Sequence, residues 1–459
     1  METLIEKFSK FFCKLKFEKI SIETVENTKK LLLDLIGISI AGSQKIFPKM
    51  VNDYIESMAG KKESTLLSNR KKVPSLMAAF GNAVCAHALD MDDGYRYGGV
   101  HPGVSVIPAA LAIGEKNTSS GKDLIVSIVC GYEIICRLAK FINPSHLKRG
   151  FHTTGTVGPF GAACASGLLE GLSERQMVNA LALSGLQGAG LMEVMVDGAM
   201  AKPLNPGKAA LSGVISVSLA KRGARAPATM IEGNKGFLKA MSDKFDSENP
   251  MSNLGLKFHI DGQYIKLHAS CRHTHAPIDA LLDIKSEHNL PADQIMNIEI
   301  ETYQIALDLC GINQYPKTVE DAKFSLRFVI AMASCLGSVS DDQFNEKNLN
   351  NIRIKKLVSC INLKLSDKWE REYPKNRGAT VIVHTKSGDN LKKEIFLAKG
   401  EPENPVSLDD LIMKFNQNTI IGDCEEKNKL IETCLNVEKT NAKKLIKSII
   451  DFKEIIDES

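Results

Sequence analysis

The strongest constraint on the fold is a change of hydrophobic period along the chain. Up to about residue 260, apolar side chains recur at helical spacing. In VENTKKLLLDLIGISIAG, Val25, Leu32, Leu35, Ile36 and Ile40 fall at three-, four- and seven-residue steps, and Gly42 offers a stop. Residues 160–192 are rich in Gly, Ala and Ser, which lets helices approach closely, and Ser173 with Gln176 forms a capping-box pattern for a helix from Glu174. After about residue 292 the period becomes two. Ile298, Ile300 and Thr302 alternate, as do Ile352 with Ile354 and Leu363 with Leu365. ATVIVHT, a turn at Lys386–Asn390 and LKKEIF predict two further strands. Helical spacing returns at VSLDDLIMKF, with Ser407 as N-cap, and in NAKKLIKSIIDFKEII. The pattern predicts a mainly α protein: a large helical domain interrupted by a smaller α+β unit, with the C-terminus returning to the first domain.

The 459 residues suffice for more than one domain, and 44% hydrophobic with 24% charged residues is the balance of a water-soluble globule. A net charge of +4 gives no basic surface for nucleic acid or membrane, and no uncharged apolar run reaches the ~18 residues of a membrane span. Acids at Glu2, Glu6 and Glu18 break the pattern of a signal or transit peptide. Eleven cysteines without a C-x-x-C pair fit reduced thiols, so a cytoplasmic location is expected.

Common cofactor signatures are missing. There is no H-E-x-x-H, and Asn205-Pro-Gly-Lys208 runs into Ala209, so the P-loop hydroxyl is lacking. Gly155, Gly158 and Gly161 are spaced by threes, which reads as helix packing. His273-Thr-His275 resembles a metal pair, but no third ligand is specified nearby, so no metal is expected. The acid/base candidates lie elsewhere. LDMDDGYRYGGVHPG brings Asp90, Asp92, Asp93, Arg96 and His101 together, and a histidine near carboxylates titrates near neutrality. His87 and His152 lie in similar Gly-rich, low-charge contexts. Lys202, fixed before Pro203, reads as a loop lysine facing an anion, and Lys208 follows six residues on.

Taken together, these segments resemble the MmgE/PrpD family. The resemblance rests on HALDMDDGYRYGGVHPGVSVIPAALAIGE, GFHTTGTVGPFGAACASGLL, KPLNPGKAALSG, KLHASCRHTHAPIDA, DAKFSLRF and KGEPENPVSLDDLIMKF, in that order over roughly 330 residues. It implies a helical domain over 1–263 and 402–459, an α+β lid over 264–401, a homodimer, and a site between the domains without metal or organic cofactor. Members include 2-methylcitrate dehydratase, cis-aconitate decarboxylase and iminodisuccinate epimerase. Carried over by motif, Asp90, His101, His152, Lys202 and Lys266 are the expected catalytic residues. Arg96, Lys208, Arg272, His273 and His275 are candidate substrate-binding groups, because a polycarboxylate needs several donors. Gly94, Cys271 and Phe328 depart from the family's usual Thr, His and Tyr.

The expected activity is a cofactor-free lyase acting on a small di- or tricarboxylate by proton transfer beside a carboxylate. An epimerase of an iminodisuccinate-like acid is the alternative within the family. A catalytically silent polycarboxylate-binding protein is the alternative of another class.

Overall fold

The computed structural model describes residues 2–244, 249–419 and 424–452. The fold is mainly α, as the period predicts. Helix α1 (Ile22–Gly42) begins at Ser21, whose hydroxyl accepts from the Thr24 amide, and it is buried on nearly every side from Leu31 to Ile40. Around it stand α2 (Ser75–His87), α3 (Gly103–Asn117), α4 (Gly121–Ile142), α5 (Thr153–Leu169), α6 (Glu174–Gly185) and α7 (Leu204–Lys221). The capping box of Ser173 and Gln176 opens α6. Small residues set the spacing: a Cβ on Gly158 would stand 2.7 Å from the Ala209 Cβ of α7 and 3.1 Å from the Ser105 Oγ of α3. The glycines at 155, 158 and 161 therefore serve close helix contact.

Two apolar cores result. The first draws on residues from Ile5 to Ile265 and again from Val406 to Phe452. Helix α10 (Leu408–Asn418), starting at the Ser407 cap, buries Leu411 and Phe415, and the Phe415 ring lies against Gly37 of α1. Burial of such a ring is worth roughly 1.5–3 kcal/mol. The second core draws on residues from Ala269 to Val383, including α8 (His275–Glu287) and α9 (Leu326–Leu336), and takes in Ile38, Leu89 and Met91 from the helical part. Leu89 and Met91 thus anchor a loop of one unit in the core of the other.

The α+β unit carries a four-stranded sheet of order β2-β1-β3-β4, with β1 at Ile295–Thr302, β2 at Ile361–Leu365, β3 at Ala379–Thr385 and β4 at Asn390–Ile395. β2 runs parallel to β1, and the other two pairs are antiparallel. A register shift between Ile295 and Asn297 lets Ile295 join Ile298, Ile300 and Thr302 on the buried face.

One expected strand is a helix. Ile352 and Ile354 lie in a helix over Ile352–Val358, started by Asn351, whose side chain accepts from the Arg353 amide. Ile354, Leu357 and Val358 form its buried face and Ile352 is exposed, so the helical spacing over seven residues outweighs the two-residue alternation. A short hairpin pairing Ser64–Thr65 with Lys72–Val73 was not legible in the sequence. The last helix runs over Ala442–Asp451, and residues 453–456 of its expected span lie outside the described residues. Among the described residues no single helix is long and apolar enough to cross a membrane.

Candidate active site

Four helix ends converge on one loop. His87 closes α2, His101 stands just before α3, His152 is the N-cap residue of α5, and Lys202 lies in the turn before α7. The N-termini of α3, α5 and α7 bring partial positive charge to this point, which suits an anionic ligand.

The loop after α2 carries the acids. Asp90 sits at φ +56°, in the left-handed region that a non-glycine residue rarely adopts. Its carboxylate is gripped by Lys202, and its second oxygen lies 3.2 Å from Lys266 Nζ. Burial would raise its pKa, but the Lys202 and Lys266 ammonium groups outweigh burial and hold it well below the usual carboxylate range.

The strained backbone is pinned by three lysines. Lys323 Nζ donates to the Leu89 carbonyl at 3.1 Å, Lys266 Nζ to that of Asp90 at 2.6 Å, and Lys414 Nζ to that of Met91 at 3.0 Å. Each lysine is itself ion-paired: Lys323 with Asp341 at 2.9 Å, Lys414 with Asp34 at 2.6 Å, and Lys266 with Asp90. Charge-assisted bonds to three successive carbonyls over-determine the loop, which is the condition for keeping strain at a functional site.

Asp92, fully buried, orients two imidazoles. His87 Nδ1 donates to it at 2.9 Å, and His101 Nδ1 lies 3.0 Å from its other oxygen and 2.8 Å from the Asp93 carbonyl. With Nδ1 as donor, neutral His87 and His101 each present a lone pair at Nε2. The His87 Nε2 is buried without a hydrogen-bond partner. His152 takes the opposite tautomer: Asn205 Nδ2 donates to its Nδ1 at 3.0 Å, so Nε2 carries the hydrogen. The His87 ring centre lies 5.2 Å from that of His101 and 6.0 Å from that of His152. The site therefore holds imidazoles that accept a proton beside one that donates a hydrogen bond. Asp93 is buried behind them, and burial, then the charges of Asp92 and Asp34, push its carboxyl well above the usual range.

His87, Asp90 and Asp92 each place one donor atom within 4.8 Å of the others. The donor set does not suit a cation, because two lysines already neutralise Asp90 and two imidazoles occupy Asp92.

The structure thus brings Asp90, His101, His152, Lys202 and Lys266 together. It gives Arg96 and Arg272 a different partner. Arg96 Nη1 donates to Glu401 at 3.1 Å, and Arg272 donates from Nε at 3.0 Å and from Nη2 at 2.9 Å to the same carboxylate. Glu401 is 2% exposed, so these guanidiniums are spent on an internal hub rather than held ready for substrate. His275 accepts from Arg272 at 3.0 Å and packs on His268, while His273 meets the Tyr303 hydroxyl at 2.7 Å. Lys208 lies on an exposed face of α7. These five residues fall outside the cluster around Asp90, for the physical reason that each is bonded elsewhere or faces water.

The departures have local causes. The Gly94 amide and carbonyl pair with those of Tyr264, and the Tyr264 ring fills the space a Cβ would need. Phe328 is packed in the second core. Cys271 is buried near Asp90 and Lys266, and a hydrogen bond from Cys310 lowers its pKa.

Sequence reasoning did not assign roles to His87, Asn205, Lys323 or Lys414. His87 had a usable signal, five residues before Asp92 at the end of a helix. The others had none, since their partners are far away in sequence.

Burial chiefly holds His87, His146, His152, His259, His273 and His275 below the usual imidazole range. Folding therefore excludes protons that the unfolded chain accepts. The stability from these groups is complete above the unfolded pKa near 6.5 and is lost as pH falls below it, by up to about 1.4 kcal/mol per pH unit for each histidine. The urea midpoint is expected to hold nearly constant from pH 7.5 to 7 and to drop steadily from pH 6.5 to 5.5. A flat profile would contradict the burial of neutral imidazoles.

The chain matches the MmgE/PrpD N-terminal domain over residues 6–249 and the MmgE/PrpD C-terminal domain over residues 268–438. It is similar to "Cis-aconitate decarboxylase" of Homo sapiens, 24% identical over 440 residues, covering 91% of this chain and 88% of that one. "Cis-aconitate decarboxylase" of Aspergillus terreus is 23% identical over 437 residues, covering 90% and 88%. "Cis-aconitate decarboxylase-like protein oryM" of Aspergillus oryzae is 24% identical over 452 residues, covering 92% of each. Matches to both domains together span most of the sequence, and the chain belongs to the MmgE/PrpD family.

Proposed function

We propose that the protein is a cofactor-free lyase acting on a small tricarboxylate of the cis-aconitate or citrate type. The observation that carries this reading is the pairing of opposite imidazole tautomers beside a carboxylate clamped by two lysines. The relatives named above support the substrate class.

In this reading one substrate carboxylate lies against Lys202 and Lys266 and the N-termini of α3, α5 and α7. Their positive charge stabilises the enolate-like state formed when a proton or carbon dioxide leaves the neighbouring carbon. His101 Nε2 takes the proton, with Asp92 stabilising the imidazolium through Nδ1. In dehydration His152 Nε2–H gives its proton to the leaving hydroxyl, which departs as water; in decarboxylation the same Nε2–H protonates the carbon that carbon dioxide has left. Lys323 reaches the loop from the α+β unit, so movement of that unit would couple substrate entry to assembly of the site.

The test is a screen of di- and tricarboxylates followed by NMR in D₂O, with and without EDTA. Loss of water or carbon dioxide from a tricarboxylate, unchanged by EDTA, is the expected outcome. Deuterium entering unconsumed substrate with neither loss would replace the lyase by an epimerase, and binding without any change would indicate a silent binding protein.

Lys202→Ala and Lys266→Ala are each expected to weaken substrate binding by about 1.5–3 kcal/mol, the worth of a charge-assisted contact. Calorimetric titration reads this directly. Wild-type Kd in both variants would remove the lysines from the list of carboxylate ligands.

A further inference from the structure

A cavity of about 410 Å³ opens from the site and has two chemically different ends. Its floor is formed by His87, Asp90 and Lys202. Most of its outer wall is apolar, built by Phe47, Val194, Met195, Met200, Val319 and Phe324. Lys202 Nζ lies 4.9 Å from the centre of the Phe324 ring, so the change from charged floor to apolar wall occurs within one side chain.

The wall comes from both units. Val194, Met195 and Met200 belong to the segment before α7, while Val319 and Phe324 belong to the α+β unit. Gly198, at φ +61°, permits the approach: a Cβ there would collide with Thr318 Oγ1 and Asp321 Oδ1. The cavity is therefore a built space between packed surfaces.

A further carboxylate has no place in the outer end. Of the cations lining it, Lys45 and Lys323 are both bonded to Asp341, at 2.5 and 2.9 Å. The other charged groups there, Glu320, Asp321 and Glu346, are acids that repel an anion. Two methionines give the wall adaptable, polarisable side chains suited to a flexible hydrocarbon. Met200 is 44% exposed, and covering it would release apolar surface from water.

We infer that the substrate carries an apolar substituent of several carbons, held in the Met195–Met200–Phe324 wall while its carboxylate end occupies the floor at Lys202. This deepens the tricarboxylate reading and rests on it. The substituent would add affinity without charge and would select against unsubstituted acids.

The test is a homologous series of citrate, 2-methylcitrate, 2-butylcitrate and 2-hexylcitrate, with Kd and kcat/KM measured for the full chain. Affinity is expected to rise by up to about fourfold per buried methylene, the usual gain on removing one from water. A chain ending in a carboxylate should lose that gain to Glu320, Asp321 and Glu346. Met195→Trp, which fills the wall, should lower the hexyl-to-citrate ratio at least tenfold, and Met195→Leu should preserve it. A series in which citrate binds as well as the long acids, or in which affinity falls with length, overturns the inference and leaves the tricarboxylate reading standing. If neither cis-aconitate nor any member of the series binds or reacts, both readings fall together.

Discussion

His101→Ala and His152→Ala are each expected to lower turnover of the substrate by about 10²-fold or more while the helical circular dichroism stays unchanged. The two imidazoles hold opposite tautomers through separate second partners, Asp92 for His101 and Asn205 for His152. Removal of either side chain leaves one proton-transfer step without its group. Removing the partner instead should act more gently, through the ring's tautomer and orientation. Asn205→Asp would place an acceptor at His152 Nδ1 and favour the hydrogen there, so kcat should fall while substrate Kd changes little. Near-wild-type turnover in both alanine variants would withdraw the acid/base assignment.

Glu401→Ala is expected to cost about 3–5 kcal/mol of unfolding free energy, as for other buried ion pairs that lose one partner. The carboxylate is bonded to Arg96 of the helical part and to Arg272 of the α+β unit. Arg377 adds charge nearby and donates to the Arg96 carbonyl at 2.7 Å. Burial alone would raise the Glu401 pKa, but Arg272, Arg377 and Arg96 together bring it below the usual value. Its contribution is therefore present above the unfolded pKa near 4.3 and disappears as pH falls through the lowered one. Glu401→Gln should recover part of the packing and little of the stability, since the arginines still lack a countercharge. Urea unfolding at pH 7 tests both variants, and a midpoint within experimental error of wild type would show that the hub holds nothing in place. A loss of activity larger than the loss of stability would follow from Arg96, which sits in the loop between Asp90 and His101.

The candidate site was legible where sequence-local motifs specify residue type and position. HALDMDD, HPG, GFHTTG and KPLNPG lie at the ends of helices α2, α3, α5 and α7. Helix ends are marked by caps, prolines and glycines, so their chemistry is written near their boundaries. Arg96, Arg272 and His275, candidate substrate-binding groups by motif, find partners inside the fold, because a cation in a motif looks the same whether it faces substrate or a buried acid. Glu401 lies 305 residues from Arg96, and nothing in either neighbourhood announces the other. Ile352 and Ile354 were misread for a related reason: two alternating residues cannot outvote a helix whose buried face needs seven to appear.

The sequence by itself determined the helical and alternating segments, the caps at Ser173 and Ser407, and the residue types gathered around Asp90, because these depend on neighbours a few positions apart. The tertiary structure decided which charges pair. Asp90 meets Lys202 across 112 residues and Lys266 across 176, and the carbonyl of Met91 meets Lys414 across 323. Coulomb energy and desolvation depend on distance and burial in space, and neither is encoded in separation along the chain. The strained loop at Asp90 exists because three lysines from distant segments arrive at three consecutive carbonyls, an arrangement that only the packed fold supplies.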